Sequence, residues 1–149
     1  GIRTWRALST LVCRLGERVT GLGQRVECSL ELCSIVLIEG LVIGAKSGIG
    51  LQTMYDVLKV SSGDSAAVDF RVPRIMSGDF EPGGTMDIVF KDQELVTQYA
   101  KQIGVPTLMA NVSQQVYQMA RTAGLNKKDS SAVVKIYEQL ADVSVVGRI

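Results

Sequence analysis

The chain has 149 residues, 16 Lys+Arg against 15 Asp+Glu for a formal charge of +1, three Cys and no His. That length is one ordinary domain able to bury its own core, and 46% apolar residues with only 5% aromatic favour packed helices over a sandwich or barrel. Near-neutral charge gives no electrostatic footprint for nucleic acid or an anionic membrane, and the missing His excludes Ser-His triads, Cys-His dyads, His-ligated zinc and His general bases. Lys, carboxylates, hydroxyls and thiols remain, or no chemistry at all.

The opening stretch, residues 1–18, sets Arg3, Arg6, Arg14 and Arg18 against Ile2, Trp5, Leu8, Leu11 and Leu15. It lacks a signal-peptide apolar core and an A-x-A cleavage site, so it reads as an amphipathic helix docking on its own protein. Cys13, Cys28 and Cys33 have no C-x-x-C spacing. They read as small apolar residues in a reduced, cytoplasmic setting, with no metal site. Gly21-Leu22-Gly23 reads as a chain turn, since a dinucleotide fingerprint needs a strand before it and a third glycine.

Val26, Leu30, Cys33, Leu37, Leu41 and Ala45 recur at helical steps, which predicts a long helix from Gln24 to Ser47 with that face inward. Its apolar centre, Leu32 to Ala45, is shorter than the ~20 residues a bilayer requires. Glu39, Gly40 and Gly44 interrupt it, so it is expected to be buried on most sides and not to cross a membrane. Gly40 and Gly44 suggest the close approach of a neighbour, and Ser47-Gly48 a left-handed stop.

A second helix is expected over Leu51–Val60 (Met54, Val57 and Leu58 inward), and a third over Ser65–Ser77, kinked or cut short by Pro73. Ser77–Gly84, SGDFEPGG, is the clearest loop. Thr85 then caps a fourth helix burying Met86, Val89, Phe90, Val96, Ala100 and Ile103, closed by Gly104. A fifth is expected from Thr107 to Ala123 with Met109, Val112, Val116, Met119 and Ala120 inward. Asp129 or Ser130 caps a sixth with Val133, Ile136, Tyr137 and Leu140 inward. The result is an all-α domain of six or seven helices, one of them long.

Three motifs invite chemistry. Gly40 to Ser47, GLVIGAKS, approaches a phosphate-binding G-x-x-x-x-G-K-[ST] loop. Ala45 replaces the second glycine, however, and Leu-Val-Ile occupies positions whose amides would have to wrap a phosphate. Asp87 and Lys91 have the spacing of a solvated i,i+4 pair, and of Lys91 and Asp92 the lysine is the better placed to meet an anion. Ser61, Ser62, Asp64 and Ser65 form a polar helix start, suited to capping by Asp64 or to an anion at free amides.

Taken in order, EGLVIGAKSGI (Glu39–Ile49), VLKVSSGDSAAV, RVPRIMSGDFEPGGTMDIVFKD (Arg71–Asp92), AKQIGVP (Ala100–Pro106) and YQMARTAGLNKKDSSAVVKIYEQLA resemble the C-terminal helical domain of the β-hydroxyacid dehydrogenase family. This family includes 3-hydroxyisobutyrate dehydrogenases and tartronate-semialdehyde reductases, and the fold implied is the C-terminal domain of 6-phosphogluconate dehydrogenase-like proteins. The resemblance runs from about residue 36 nearly to the end. It implies that 24–149 form this helical domain and that 1–23 are a remnant or altered linker from a missing Rossmann domain. It further implies that Lys91 faces a cofactor and substrate cleft with Asp92 supporting it, that Ser61, Ser62 and Ser65 lie near that cleft, and that the cofactor of the family is NAD or NADP.

One departure from the family is decisive. The family has a catalytic Lys after its glycine-rich turn, and an Asn three positions later. Aligned on GLGQRV, those positions hold Glu27 and Leu30, and no Lys precedes Lys46. The ammonium would stabilise and protonate an alkoxide as hydride moves, and Glu27 has the wrong sign for that. The expectation is therefore a helical domain with no catalytic residue and no cofactor of its own. It would form a homodimer through the long helix, retain room for a small hydroxyacid, and have no membrane or nucleic-acid partner. The alternative is a fragment of an active NAD(P)-dependent 3-hydroxyacid oxidoreductase.

Overall fold

The computed structural model describes residues 28–146, and these form six α-helices with no strand among them. Glu27 and the amphipathic opening segment lie outside the described residues. Helix α1 (Cys28–Lys46) is the long central element. It ends as its sequence predicts: Gly48 adopts φ +85°, and the Ile49 amide reaches back to the Gly44 carbonyl at 2.9 Å, closing the last turn.

The buried stripe of α1 is Glu31, Ser34, Ile35, Ile38, Leu41, Val42 and Ala45. Its helical period is the expected one, but the face is rotated. Cys33 is exposed, Leu37 sits at the core's edge, and the helix is buried on one side rather than most. Both faces are apolar, so periodicity could not choose between them, and a buried cation on a neighbouring helix draws Glu31 and Ser34 inward. On the outer face Val36 and Ile43 are 67% and 68% exposed. By length and mean hydropathy (1.9) α1 could cross a bilayer, although half of that window is buried inside the domain.

Helix α2 (Leu51–Lys59) buries Leu51 and half-buries Met54 and Leu58, while Val57 is exposed. Gly44 makes this packing possible: a Cβ there would lie 2.1 Å from the Met54 sulfur, whereas one at Gly40 would meet nothing within 4 Å. Helix α3 (Ala66–Ser77) runs unbroken through Pro73, contrary to expectation. Pro73 and Asp69 both lie on the solvent side, so the Asp69 carbonyl that loses its helical donor is free to meet water. Gly78, at φ +69°, stops the helix.

The Gly78–Gly84 loop leads into α4 (Met86–Gln102), and Thr85 Oγ1 caps the Ile88 amide at 3.4 Å. Met86, Val89 and Ala100 are buried as expected and Ile103 is not; Gln93 and Thr97 complete the stripe instead. Helix α5 (Leu108–Ala120) also turns differently from its sequence reading. It buries Ala110, Ser113, Gln114, Tyr117 and Ala120, and leaves Met109, Val112 and Met119 exposed. A π-helical turn (Arg121–Leu125) with Gly124 at φ +83° and a 3-10 turn (Ser130–Val133) lead into α6 (Val134–Ala141), which buries Ile136 but not Leu140. The hydrophobic core draws on all of α1–α6, with Ile38, Leu41, Val68, Ile75, Met86, Tyr117 and Val134 at its centre.

Candidate functional site

A buried polar network joins the first turn of α1 to the helices beneath it. The Arg71 guanidinium donates from Nη2 to Glu31 Oε1 at 2.5 Å and from Nε to Ser34 Oγ at 3.0 Å. The Glu31 and Arg71 side chains are only 3% and 8% exposed. The Tyr117 hydroxyl donates to the other Glu31 oxygen. Burial and the Glu31 charge together hold the Tyr117 phenol well above its ordinary value, so it stays a neutral donor. Burial, with Glu31 adding to it, also raises the Cys28 thiol.

Asp129 is the second anchor. Its Oδ2 accepts from the Gly83 and Gly84 amides at 3.2 and 3.1 Å, and its Oδ1 from the Ser131 amide and hydroxyl at 2.9 and 2.7 Å. Burial raises its pKa, but the Ser131 and Gly84 hydrogen bonds and the Arg74 charge outweigh burial and leave it below the usual carboxylate value. Asp129 thus caps the 3-10 turn, as one of the two sequence candidates, and also clamps the proline–glycine loop.

These anchors border a chamber of about 330 Å³, lined by Cys28, Leu30, Glu31, Arg71, Gly84, Ile88, Val89, Asp92, Gln93 and Ser130. Leu30 and Asp92 therefore share one cavity. Lys91 stays outside its lining: its side chain is 63% exposed and its ammonium lies 3.0 Å from Asp92 Oδ1. The i,i+4 pair of Asp87 with Lys91 is not formed. Asp87 meets Arg121 at 2.8 Å and Lys127 at 3.0 Å, with Lys127 the larger cause of its lowered pKa.

Ser62 and Ser65 lie elsewhere, on an apolar groove of about 1080 Å³ built from α1, α2 and the start of α5. The structure does not bring them into one cavity with Asp92. Ser61 instead donates to the Leu58 carbonyl, ending α2. Nor does Asp64 cap α3; both its oxygens accept from Lys59, at 2.9 and 3.0 Å, and the Lys59 pKa is raised first by its hydrogen bond to Asp69 and then by that to Asp64. The loop-like GLVIGAKS segment is helix, with Leu41 and Ala45 in the core and Lys46 donating to the Ala141 and Asp142 carbonyls at 2.8 and 3.0 Å. It is a helix-to-helix clasp rather than a phosphate loop.

Sequence reasoning missed Arg71, Gln93, Asp129 as a loop clamp, and Ser130. Two signals were present. Arg71 falls on the stripe Val68-Arg71-Val72-Ile75, and Gln93 and Thr97 bridge Val89 to Ala100 at helical spacing. Polar residues on an apolar stripe mark a buried network.

A nucleotide needs free backbone amides for its phosphates. Here the amides of the glycine pair are taken by Asp129, and the Lys91 ammonium is held by Asp92. The described residues do not by themselves make a dinucleotide cradle.

A long helix, a proline–glycine loop clamped by a buried aspartate and a K-D pair at a cavity's edge are the features of this all-α domain. The chain belongs to the β-hydroxyacid dehydrogenase family: the family described as NAD-binding of NADP-dependent 3-hydroxyisobutyrate dehydrogenase matches residues 29–137. It is 38% identical to the 2-(hydroxymethyl)glutarate dehydrogenase of Eubacterium barkeri over 133 residues, which are 86% of this chain and 44% of that protein. It is 35% identical to the L-threonate dehydrogenase of Pectobacterium atrosepticum over 135 residues, 88% and 44% of the two chains. Among solved structures, the 3-hydroxyisobutyrate dehydrogenase from Salmonella typhimurium superposes with a TM-score of 0.74 at 30% identity, covering 77% of this chain and 40% of that one. The chain spans less than half the length of these relatives.

Proposed function

We propose that this chain is the helical half of a β-hydroxyacid dehydrogenase, that it carries out no hydride transfer by itself, and that it self-associates through α1. The observation carrying this reading is the outer face of α1. Val36, Gly40 and Ile43 line the groove together with Val57 of α2 and Met109 and Val112 of α5, and the five large side chains at Val36, Ile43, Val57, Met109 and Val112 are exposed. Contiguous apolar surface of this size marks an association site, and a second copy supplies an equivalent face related by a two-fold axis. A net charge of +1 opposes such pairing little and supports neither a membrane nor a nucleic-acid partner.

Inactivity follows from Glu27 and Leu30 at the positions of the family Lys and Asn, and NAD or NADP is the cofactor of the family rather than of this chain alone. The chamber beside Leu30 and Asp92 is read as the old cleft side, with room for a small hydroxyacid. The purified chain, incubated with hydroxyacids and either nucleotide, is expected to produce no reduced cofactor; turnover would contradict the reading.

The second reading, a piece of an active oxidoreductase, is favoured by the 44% coverage of the relatives. It predicts that supplying the chain with a separately expressed nucleotide-binding domain of a relative restores turnover, which the first reading does not.

A further inference from the structure

The groove between α1, α2 and the start of α5 has about 1080 Å³ of room and follows α1 over residues 32–44, about 20 Å of helix. A hollow of that size does not seal against its own copy. Two hollows brought face to face enclose a void, and a void forfeits the contacts that hold an interface together. A chain that pairs through this face therefore has to bring a convex apolar element to each groove.

Residues 1–18, which lie outside the described residues, carry the sequence pattern for it. Ile2, Trp5, Leu8, Leu11 and Leu15 fall on one half of a helical wheel, and Arg3, Arg6, Arg14 and Arg18 on the other. From residue 2 to residue 15 is about 21 Å at the helical rise, the length of the groove. Charge matches as well. The lining includes Glu39 and Asp64 and no Lys or Arg. Asp64 is shared with Lys59, but Glu39 is exposed and accepts from a neutral group, the Tyr137 hydroxyl, at 2.9 Å.

We infer that in the paired protein residues 1–18 of each copy lie in the groove of the other, with Trp5 as the anchor and the arginines toward the Glu39 rim. Tryptophan and arginine are the residue types that carry most interface energy. The space to be filled lies between the two copies, and an arm given in each direction keeps the contact two-fold. Residues 19–27 can span up to about 30 Å, enough to cross a helix-to-helix contact of about 10 Å.

The inference rests on the proposed self-association, and its test separates the two. Trp5 is the single tryptophan of the chain, so fluorescence reports on the arm alone. The full-length wild-type protein should show the doubled mass in light scattering, with Trp5 emission shifted to the blue and shielded from acrylamide. Trp5→Glu removes the anchor and Ile43→Glu places a charge at a 68% exposed position in the groove. Each is expected to weaken pairing roughly thirtyfold or more and to run at the single mass with its helical circular dichroism kept. Leu8→Glu repeats the arm change at a second position. Mixed in equal amounts, the two variants should pair again, because the Ile43→Glu chain has an intact arm and the Trp5→Glu chain an intact groove. The only tryptophan in that mixture should then turn blue. Single-mass variants that do not complement each other would overturn the exchange, since an arm docked on its own chain cannot be rescued in this way. A doubled mass in Trp5→Glu, or a wild-type dimer whose Trp5 is open to acrylamide, would overturn the inference while leaving the proposed association intact. A wild-type protein at the single mass would remove both.

Discussion

Glu31 on α1 and Arg71 on α3 meet at 2.5 Å inside the domain, 40 residues apart in sequence, and fix the rotation of the long helix. This pair turns Ile35, Ile38 and Leu41 inward and leaves Val36, Gly40 and Ile43 outward. Removing one partner strips the other buried charge of this ion pair, which costs about 3–5 kcal/mol. Arg71→Met is therefore expected to lower the unfolding free energy by that amount in urea titration. Pairing it with Glu31→Gln should recover at least half of the loss, because the carboxylate that lost its guanidinium is gone.

Asp129 makes stability depend on acid. Its folded pKa lies below its ordinary value of 3.8, so the unfolded chain binds its proton first as pH falls. Its contribution is complete above about pH 4 and is lost as pH drops through the lower, folded value. Thermal melts from pH 6 to pH 2 should show a steep loss below pH 4, and Asp129→Asn should start less stable and lose less over the same range.

The two glycines of α1 should respond in opposite ways. At Gly40 a methyl group meets nothing, so Gly40→Ala is expected to stabilise the folded chain by about 1 kcal/mol through helix propensity. At Gly44 a larger side chain must displace Met54, and Gly44→Val is expected to destabilise by about 1–3 kcal/mol. Chemical denaturation of the two variants checks both signs.

Thiol chemistry separates the faces of α1. Cys33 is exposed on the groove and Cys28 is buried with a raised pKa. With Cys13 replaced by Ser, a disulfide reagent at pH 8 should label Cys33 rapidly and Cys28 only on unfolding. Dilution that separates a dimer should speed the Cys33 reaction further.

The helical class, the stops at Gly48 and Gly104, and the Thr85 cap were legible in the sequence because each follows from local backbone chemistry. The inward faces of α1 and α5 were not. Both helices carry apolar residues all round, and what selects the buried face is a polar network, Glu31-Ser34-Arg71-Tyr117 and Gln93-Ser113, whose members are distant in sequence. Pro73 misled for a related reason: its cost depends on whether the stranded Asp69 carbonyl meets water, which only the fold decides. Of the site, the K-D pair and the serine cluster were visible as motifs, but their separation between two cavities is a tertiary fact.

The most direct test of the account is the mass of the chain in solution. Light scattering of the purified protein at micromolar concentration should give twice the 16.1 kDa of a single chain, and Ile43→Glu, which places a charge in the groove, should give the single mass. A wild-type protein that stays at the single-chain mass across that range would contradict the account.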